Sequence, residues 1–262
     1  MKKFFLVVAL ALVFSGQVAS ANVFEAGVSV GMSKDAQFGQ AMLDARPLAL
    51  GQRRQHLLGG FVAGIVGAGE DGLYEYNSFQ LEIGLSWKYI YSSGTNTFRL
   101  GCYAQSLDGR ISMYAHEQKD QGLGVSNGLD YSARRIKGEK WLPKQALFVR
   151  AMFPMSSSNE ATWDRQAVPA QAGKTNFYAA YGSVAVVDLQ AGSARLTPNV
   201  VVGAEIYRGD IDADYQQAGV SFVYGRGGLD FVEASFARRG EGWQTGIFLN
   251  LTDIVSAMSV KK

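Results

Sequence analysis

In this chain of 262 residues the groups able to do acid–base, nucleophilic or metal chemistry are few: two histidines, His56 and His116, and one cysteine, Cys102. His/Cys zinc sites of the usual four-ligand type cannot be assembled from them, so neither a metal nor a cofactor is expected. His116 is the better catalytic candidate, because a period of two sets it on one polar face with Tyr114 and Ser112. Pairing with Ser112 fails on distance. Four residues along one strand span about 13 Å at ~3.3 Å each, beyond the reach of a nucleophile and its base. A hydrolase built on His116 therefore needs partners from farther strands, and a polar interior histidine is the plainer reading. His56, beside Arg53 and Arg54, reads as a solvated rim residue. Asp210, Asp212 and Asp214 alternate in one proposed loop and could bring three carboxylates to a hard cation such as calcium. Tyr215 stands where an EF-hand loop needs glycine, so a solvated acidic loop is the simpler assignment.

Any such residues need elements to hold them, and the composition says which kind. Hydrophobic residues at 47% and charged residues at 18% exclude a disordered chain, while 31 Gly, 12 Tyr and 15 Phe against 5 Pro suit close-packed strands. The first residues stand apart. Met1-Lys2-Lys3, an apolar run from Phe4 to Phe14 and Ala19-Ser20-Ala21 spell a secretory signal peptide over 1–21, with cleavage before Asn22. Removing Lys2 and Lys3 leaves positive and negative charges balanced, so nothing points to nucleic acid.

From residue 22 onward the period is two. Phe79, Leu81, Ile83, Leu85, Trp87, Tyr89 and Tyr91 share one face, and Gln80, Glu82, Gly84, Ser86 and Lys88 the other. Such segments predict about twelve strands, near 22–32, 56–66, 77–91, 97–106, 110–118, 128–136, 144–155, 174–188, 197–208, 216–224, 230–238 and 243–251. Three turn signals give registers. Asp108-Gly109 would pair Leu107 with Arg110, setting Glu82 near Arg110 and Gly101 opposite His116. Gly94-Thr95 would pair Tyr91 with Phe98 and Trp87 with Cys102. Gly240-Glu241 would pair Phe236 with Thr245 and Val232 with Leu249.

Alternation alone does not say which face meets solvent. Aromatic residues gather at the ends of the apolar face, as in an interfacial girdle. The other face carries Glu25, Glu82, Lys88, Arg99, Arg150, Glu205 and Glu233 among Gly, Ser and Tyr, which suits a crowded polar lumen. Long connections at 33–55, 118–127 and 156–173 fall at one end and shorter ones at the other. Residues 22–251 thus resemble a Gram-negative outer-membrane β-barrel, an all-β, antiparallel, up-and-down architecture, followed by a tail at 252–262. The last strand is similar to the polar-x-Gly-x-x-apolar-x-apolar signal read by the barrel assembly machinery, and Gln244, Gly246, Leu249 and Leu251 would carry that contact. It departs from the usual pattern in not ending the chain on an aromatic residue.

The resemblance implies export to the outer membrane, with membrane lipid as partner and lipopolysaccharide meeting Arg46, Arg53 and Arg54 of the 33–55 loop. The expected function is a passive small-solute channel, tuned by the inward charges, or a structural envelope component. A barrel-embedded hydrolase acting on lipid or surface peptide is one alternative. A soluble periplasmic or secreted β-protein that binds a ligand is the other.

Overall fold

Strands follow the period of two farther along the chain than its turn signals allow. The computed structural model describes residues 23–33, 36–53, 55–71, 74–113, 116–135, 144–163, 166–168, 175–209, 212–240 and 242–259; the expected signal peptide lies outside them. The elements are β1 (Phe24–Ser33), β2 (Ala36–Leu50), β3 (His56–Asp71), β4 (Tyr74–Tyr91), β5 (Gly94–Met113), β6 (His116–Arg135), β7 (Gln145–Trp163), β8 (Gln166–Val168), β9 (Asn176–Ala185), β10 (Leu189–Ala191), β11 (Ala194–Arg208), β12 (Ala213–Arg226), β13 (Leu229–Arg239), β14 (Gly242–Asn250) and a helix, α1 (Leu251–Ser259). Every pairing is antiparallel. β7 pairs β9, β9 pairs β11, and β14 closes on β1, giving a barrel of 12 strands. β8 and β10 are short ribbons on the ends of β7 and β11.

The wall separates two chemistries. Val30, Ile83, Leu85, Leu100, Val202, Phe222 and Ile247 are exposed on the outside, while Asp44, Arg46, Glu82 and Asp130 are buried on the inside. A soluble barrel would show the reverse, so the outward face is a lipid face. On β4 the apolar stretch from Phe79 to Tyr89 is about ten residues, which at ~3.3 Å each and a tilt of ~40° spans about 25 Å, the height of a membrane band. Its lower margin is an aromatic girdle in which His56 takes part. The His56 ring stacks on Tyr89 at 4.9 Å and on Trp87 at 5.9 Å, and Trp87 stacks on Phe98 at 5.1 Å. His56 is thus a girdle residue rather than a solvated one.

The glycine and aromatic bias has a structural use inside the barrel. Tyr103 covers Gly128, Phe61 covers Gly101, Tyr181 covers Gly203 and Phe38 covers Gly31, each ring occupying the space where a Cβ would stand. Small and large residues on adjacent strands so fill the lumen wall without strain.

Several expectations are corrected. Asp108-Gly109 is no turn: both residues lie inside β5, facing Asn77 and Tyr76 on β4 and Gln121 and Asp120 on β6. Both flanking strands are long enough to satisfy this backbone, and that outweighs local turn propensity. Glu82 accordingly lies opposite Tyr103, Arg110 opposite Glu75, and Gly101 opposite Gly128 rather than His116. The turn after β4 is Ser92-Ser93, so Trp87 faces Phe98 instead of Cys102. The expected loop 33–55 contains β2, 118–127 lies within β6, and 156–173 holds the end of β7 and β8. β2 escapes notice because its outward residues Gly39, Ala41 and Ala45 are small and Pro47 sits in it. That proline falls at a bulge between Ala45 and Leu48, where a missing N–H costs no ladder bond. Twelve strands emerge because the missed β2 is offset by the needless division of 97–118. The Gly240-Glu241 register is observed as expected, with Phe236 opposite Thr245 and Val232 opposite Leu249.

β14 ends at Asn250, so Leu251 of the assembly signal opens α1 instead of closing a strand. Asn250 caps the helix, its Oδ1 accepting the Asp253 N–H at 3.2 Å. Leu251 and Ile254 pack on outward Phe24, Ala26, Val28, Leu43, Ala45 and Leu249. The Ala26 N–H, below the last β1–β14 pair at Gly27 and Asn250, donates to Thr252 Oγ1 at 2.7 Å. The helix therefore continues the closing seam where the ladder stops.

Candidate functional site in the barrel lumen

β1 to β7 turn a set of charged side chains inward, and two networks result. In the lower one, nearer the end where β1 begins, Arg46 of β2 binds Asp44 and donates to Glu25 at 3.0 Å and to Ser86 at 2.7 Å. Ser86 donates to Asp44 at 3.0 Å, Arg99 Nε donates to Asp44 at 2.8 Å, and Lys88 binds Glu25. Arg46 was expected on an outer loop against lipopolysaccharide; it is instead fully buried in the lumen, because its loop is a strand. Arg53 is exposed in the lower turn after β2, and Arg54 lies outside the described residues.

The second network centres on Arg150 of β7. Its guanidinium donates to Glu82 at 2.9 and 3.1 Å and to Asp130 at 2.8 and 2.9 Å, and it lies 5.3 Å from the centre of the Tyr103 ring. Across both networks Arg46, Lys88, Arg99 and Arg150 match Glu25, Asp44, Glu82 and Asp130, so formal charges cancel. The arrangement is asymmetric at mid-height. Arg99 and Arg150 side chains are 11% and 15% exposed, while Asp44, Glu82 and Asp130 are 0%, 2% and 3%. The guanidiniums face the lumen space and the carboxylates stand behind them.

Around Arg150 the wall is aromatic, with the Phe148 ring centre 5.6 Å from its guanidinium. Phe148 stacks on Tyr181 at 6.2 Å, Phe177 meets Tyr207 at 4.9 Å, and Arg239 lies 4.3 Å from the centre of the Tyr215 ring. Glu205 accepts from Tyr181, Tyr207 at 3.1 Å and Arg239 at 3.2 Å, forming a third cluster apart from the first two. Glu233 lines the lower lumen near Asp230, which is bound by Arg134 and Arg195. Asp253 of α1 reaches this lower mouth, its Oδ2 accepting the Asp230 N–H at 2.8 Å. Burial lifts the Asp253 carboxyl above its usual range; the Asp230 N–H and Arg134 pull it down, while Asp230 and Glu25 charges push it up.

Among the described residues, cavities lie within the lumen. The lower two, of about 390 and 650 Å³, share Arg134, Asp230, Glu233 and Phe248. The larger joins a mid-lumen cavity of about 290 Å³ through Met42, Arg99, Phe148 and Tyr181. Aromatic and charged residues together line that middle space.

Other candidates are not brought together. Ser112 falls on β5 opposite Glu117, and His116 begins β6 opposite Met113, so the two no longer share a strand; their side chains lie outside the described residues. Asp214 is held by Arg208 at 2.6 and 3.0 Å, and Asp212 accepts the Gly209 N–H at 3.1 Å. Asp210 lies outside the described residues, and among those described no group of acidic, His or Cys side chains is arranged to hold a metal. Sequence reasoning missed Asp44, Asp130, Tyr181 and Arg239 and gave Arg46 a place on an outer loop. For Asp44 and Arg46 the signal was present, since they alternate with Leu43 and Ala45.

In sequence the chain matches no protein-family model and no curated protein. In fold it is similar to the translocator domain of the autotransporter NalP from Neisseria meningitidis, at 8% identity and a TM-score of 0.56, covering 94% of this chain and 96% of that one. It is also similar to the beta domain of the Bordetella autotransporter BrkA, at 11% identity and a TM-score of 0.57, covering 87% and 97%. The protein has the architecture of an outer-membrane β-barrel.

Proposed function

We propose that this barrel sits in the outer membrane, lower end toward the periplasm, and passes small polar solutes passively. The carrying observation is the series of cavities from the lower mouth to mid-lumen, of about 650 and about 290 Å³, whose linings share Arg99 and Tyr181. Side chains crossing at mid-height favour small solutes over a polypeptide. Paired charges give the path little net field. In the same reading Gln244, Gly246 and Leu249 of β14 serve the assembly machinery during insertion. A structural envelope role is the second reading, favoured by the complete burial of Arg46, Glu82 and Tyr103 within the lumen wall.

The test is planar-bilayer conductance of refolded residues 22–262 beside a Glu82→Gln variant. Stable current steps are expected, with a reversal potential displaced toward anions in the variant, because Arg150 keeps one carboxylate partner of two. Correctly inserted barrels without current would overturn the channel in favour of the structural role. Failure to insert would remove both.

A further inference from the structure

We propose that the mid-lumen cavity is a binding subsite for a neutral ring-shaped polyol of monosaccharide size, a pyranose; this rests on the channel reading and names its solute class. The space, about 290 Å³, is at the lower end of the range that takes small ligands. Phe148, Phe177 and Tyr181 line it, and the Phe148 and Tyr181 rings lie within 23° of parallel. Tyr181 is held there by its hydroxyl bond to Glu205 and by its contact over Gly203. Polar donors stand beside these rings. Arg99 uses only Nε in a hydrogen bond among the described residues, its Nη2 standing 3.9 Å from Glu25, and Gln40 adds an amide. Arg150, with Glu82 and Asp130, lines the cavity next to Phe148, its guanidinium 5.6 Å from that ring's centre.

The charges there are mutually paired, so an ionic solute would have to displace an existing partner, which a buried ion pair resists. A flat aromatic solute would satisfy the rings and leave the Arg99 and Gln40 donors without acceptors. A pyranose meets both kinds of group, its C–H face against a ring and its hydroxyls toward guanidinium and amide.

Two measurements test this on the full chain refolded in detergent or bilayer. Calorimetric titration with glucose and maltose is expected to show millimolar binding, weakened at least tenfold in Phe148→Leu, while heat-modifiable gel mobility reports an intact barrel. In bilayers the same sugars should block current in the wild type beyond glycerol or a polyethylene glycol of equal size, with block relieved in Phe148→Leu and conductance kept. Current without sugar-specific block or heat would overturn the subsite and leave the channel standing. Binding without current would retain the subsite and overturn the channel. Equal binding by wild type and Phe148→Leu, or block by indole in preference to sugar, would also overturn it.

Discussion

Replacing Arg150 by methionine removes the one cation among the described residues that touches both Glu82 and Asp130. Four hydrogen bonds of 2.8–3.1 Å disappear, and two carboxylates only 2% and 3% exposed are left facing a space of similar volume without a counter-charge. Breaking a buried pair from one side costs ~3–5 kcal/mol, so a loss of about 4 kcal/mol is expected. Glu82→Gln is a gentler change. It keeps the Arg150–Asp130 pair and leaves an amide oxygen for the guanidinium, so only charge assistance is lost, about 1–2 kcal/mol. In the triple variant Arg150→Met, Glu82→Gln, Asp130→Asn no charge is stranded, and the deficit should fall back toward that smaller figure. Urea unfolding in phospholipid vesicles, followed by the fluorescence of the 4 Trp, measures all three. A cost for Arg150→Met below ~1 kcal/mol is what a solvent-screened pair gives. That result, or a triple variant no better than Arg150→Met, would refute the claim that this network is a desolvated part of the wall.

Three further outcomes follow from other regions. Gly128→Val places a side chain where the Tyr103 ring lies, 2.4 Å from an ideal Cβ, and should cost ~1–3 kcal/mol, with most of it regained when Tyr103→Ala is added; unfolding midpoints decide. Ile83→Arg sets a charge on the exposed lipid face between the girdle and the upper margin, and should destabilise the barrel by ~2–4 kcal/mol in vesicles. The same change costing nothing in vesicles would contradict the outward assignment. For α1 the sign follows from Asp253, whose folded carboxyl is raised above its unfolded range. The proton is bound more tightly when the helix is docked, so docking is firmest below the ordinary carboxylate range and weakens as pH rises through the raised value. Amide exchange over 251–259 should therefore be slower in acid than at neutral pH after correction for intrinsic rates, and Asp253→Asn should abolish the difference. Greater protection at neutral pH would reverse the argument.

The outer face of this barrel was legible because lipid imposes one rule on every strand. Within the lipid band an outward residue must be apolar whatever its azimuth, so alternation survives as a period of two that local reading can find. β2 shows the limit, since outward Gly39, Ala41 and Ala45 obey the rule weakly and the strand passes for a loop. The lumen obeys no such rule. Its contacts join residues far apart in sequence, Arg150 to Glu82 across 68 positions and Lys88 to Glu25 across 63, and each depends on register as well as face. Register is where the turn signals misled. Taking Gly94-Thr95 for the turn instead of Ser92-Ser93 pairs Trp87 with Cys102 in place of Phe98, a slip of four residues, about 13 Å along the partner strand. Because four is even, that slip changes no side chain's face. It sets Glu82 opposite Leu107 in place of Tyr103, and the false turn at Asp108-Gly109 then brings Arg110 beside it, when its carboxylate belongs to Arg150. A membrane barrel can therefore be recognised from its exterior while its function, written in the interior, stays out of reach until the register is known.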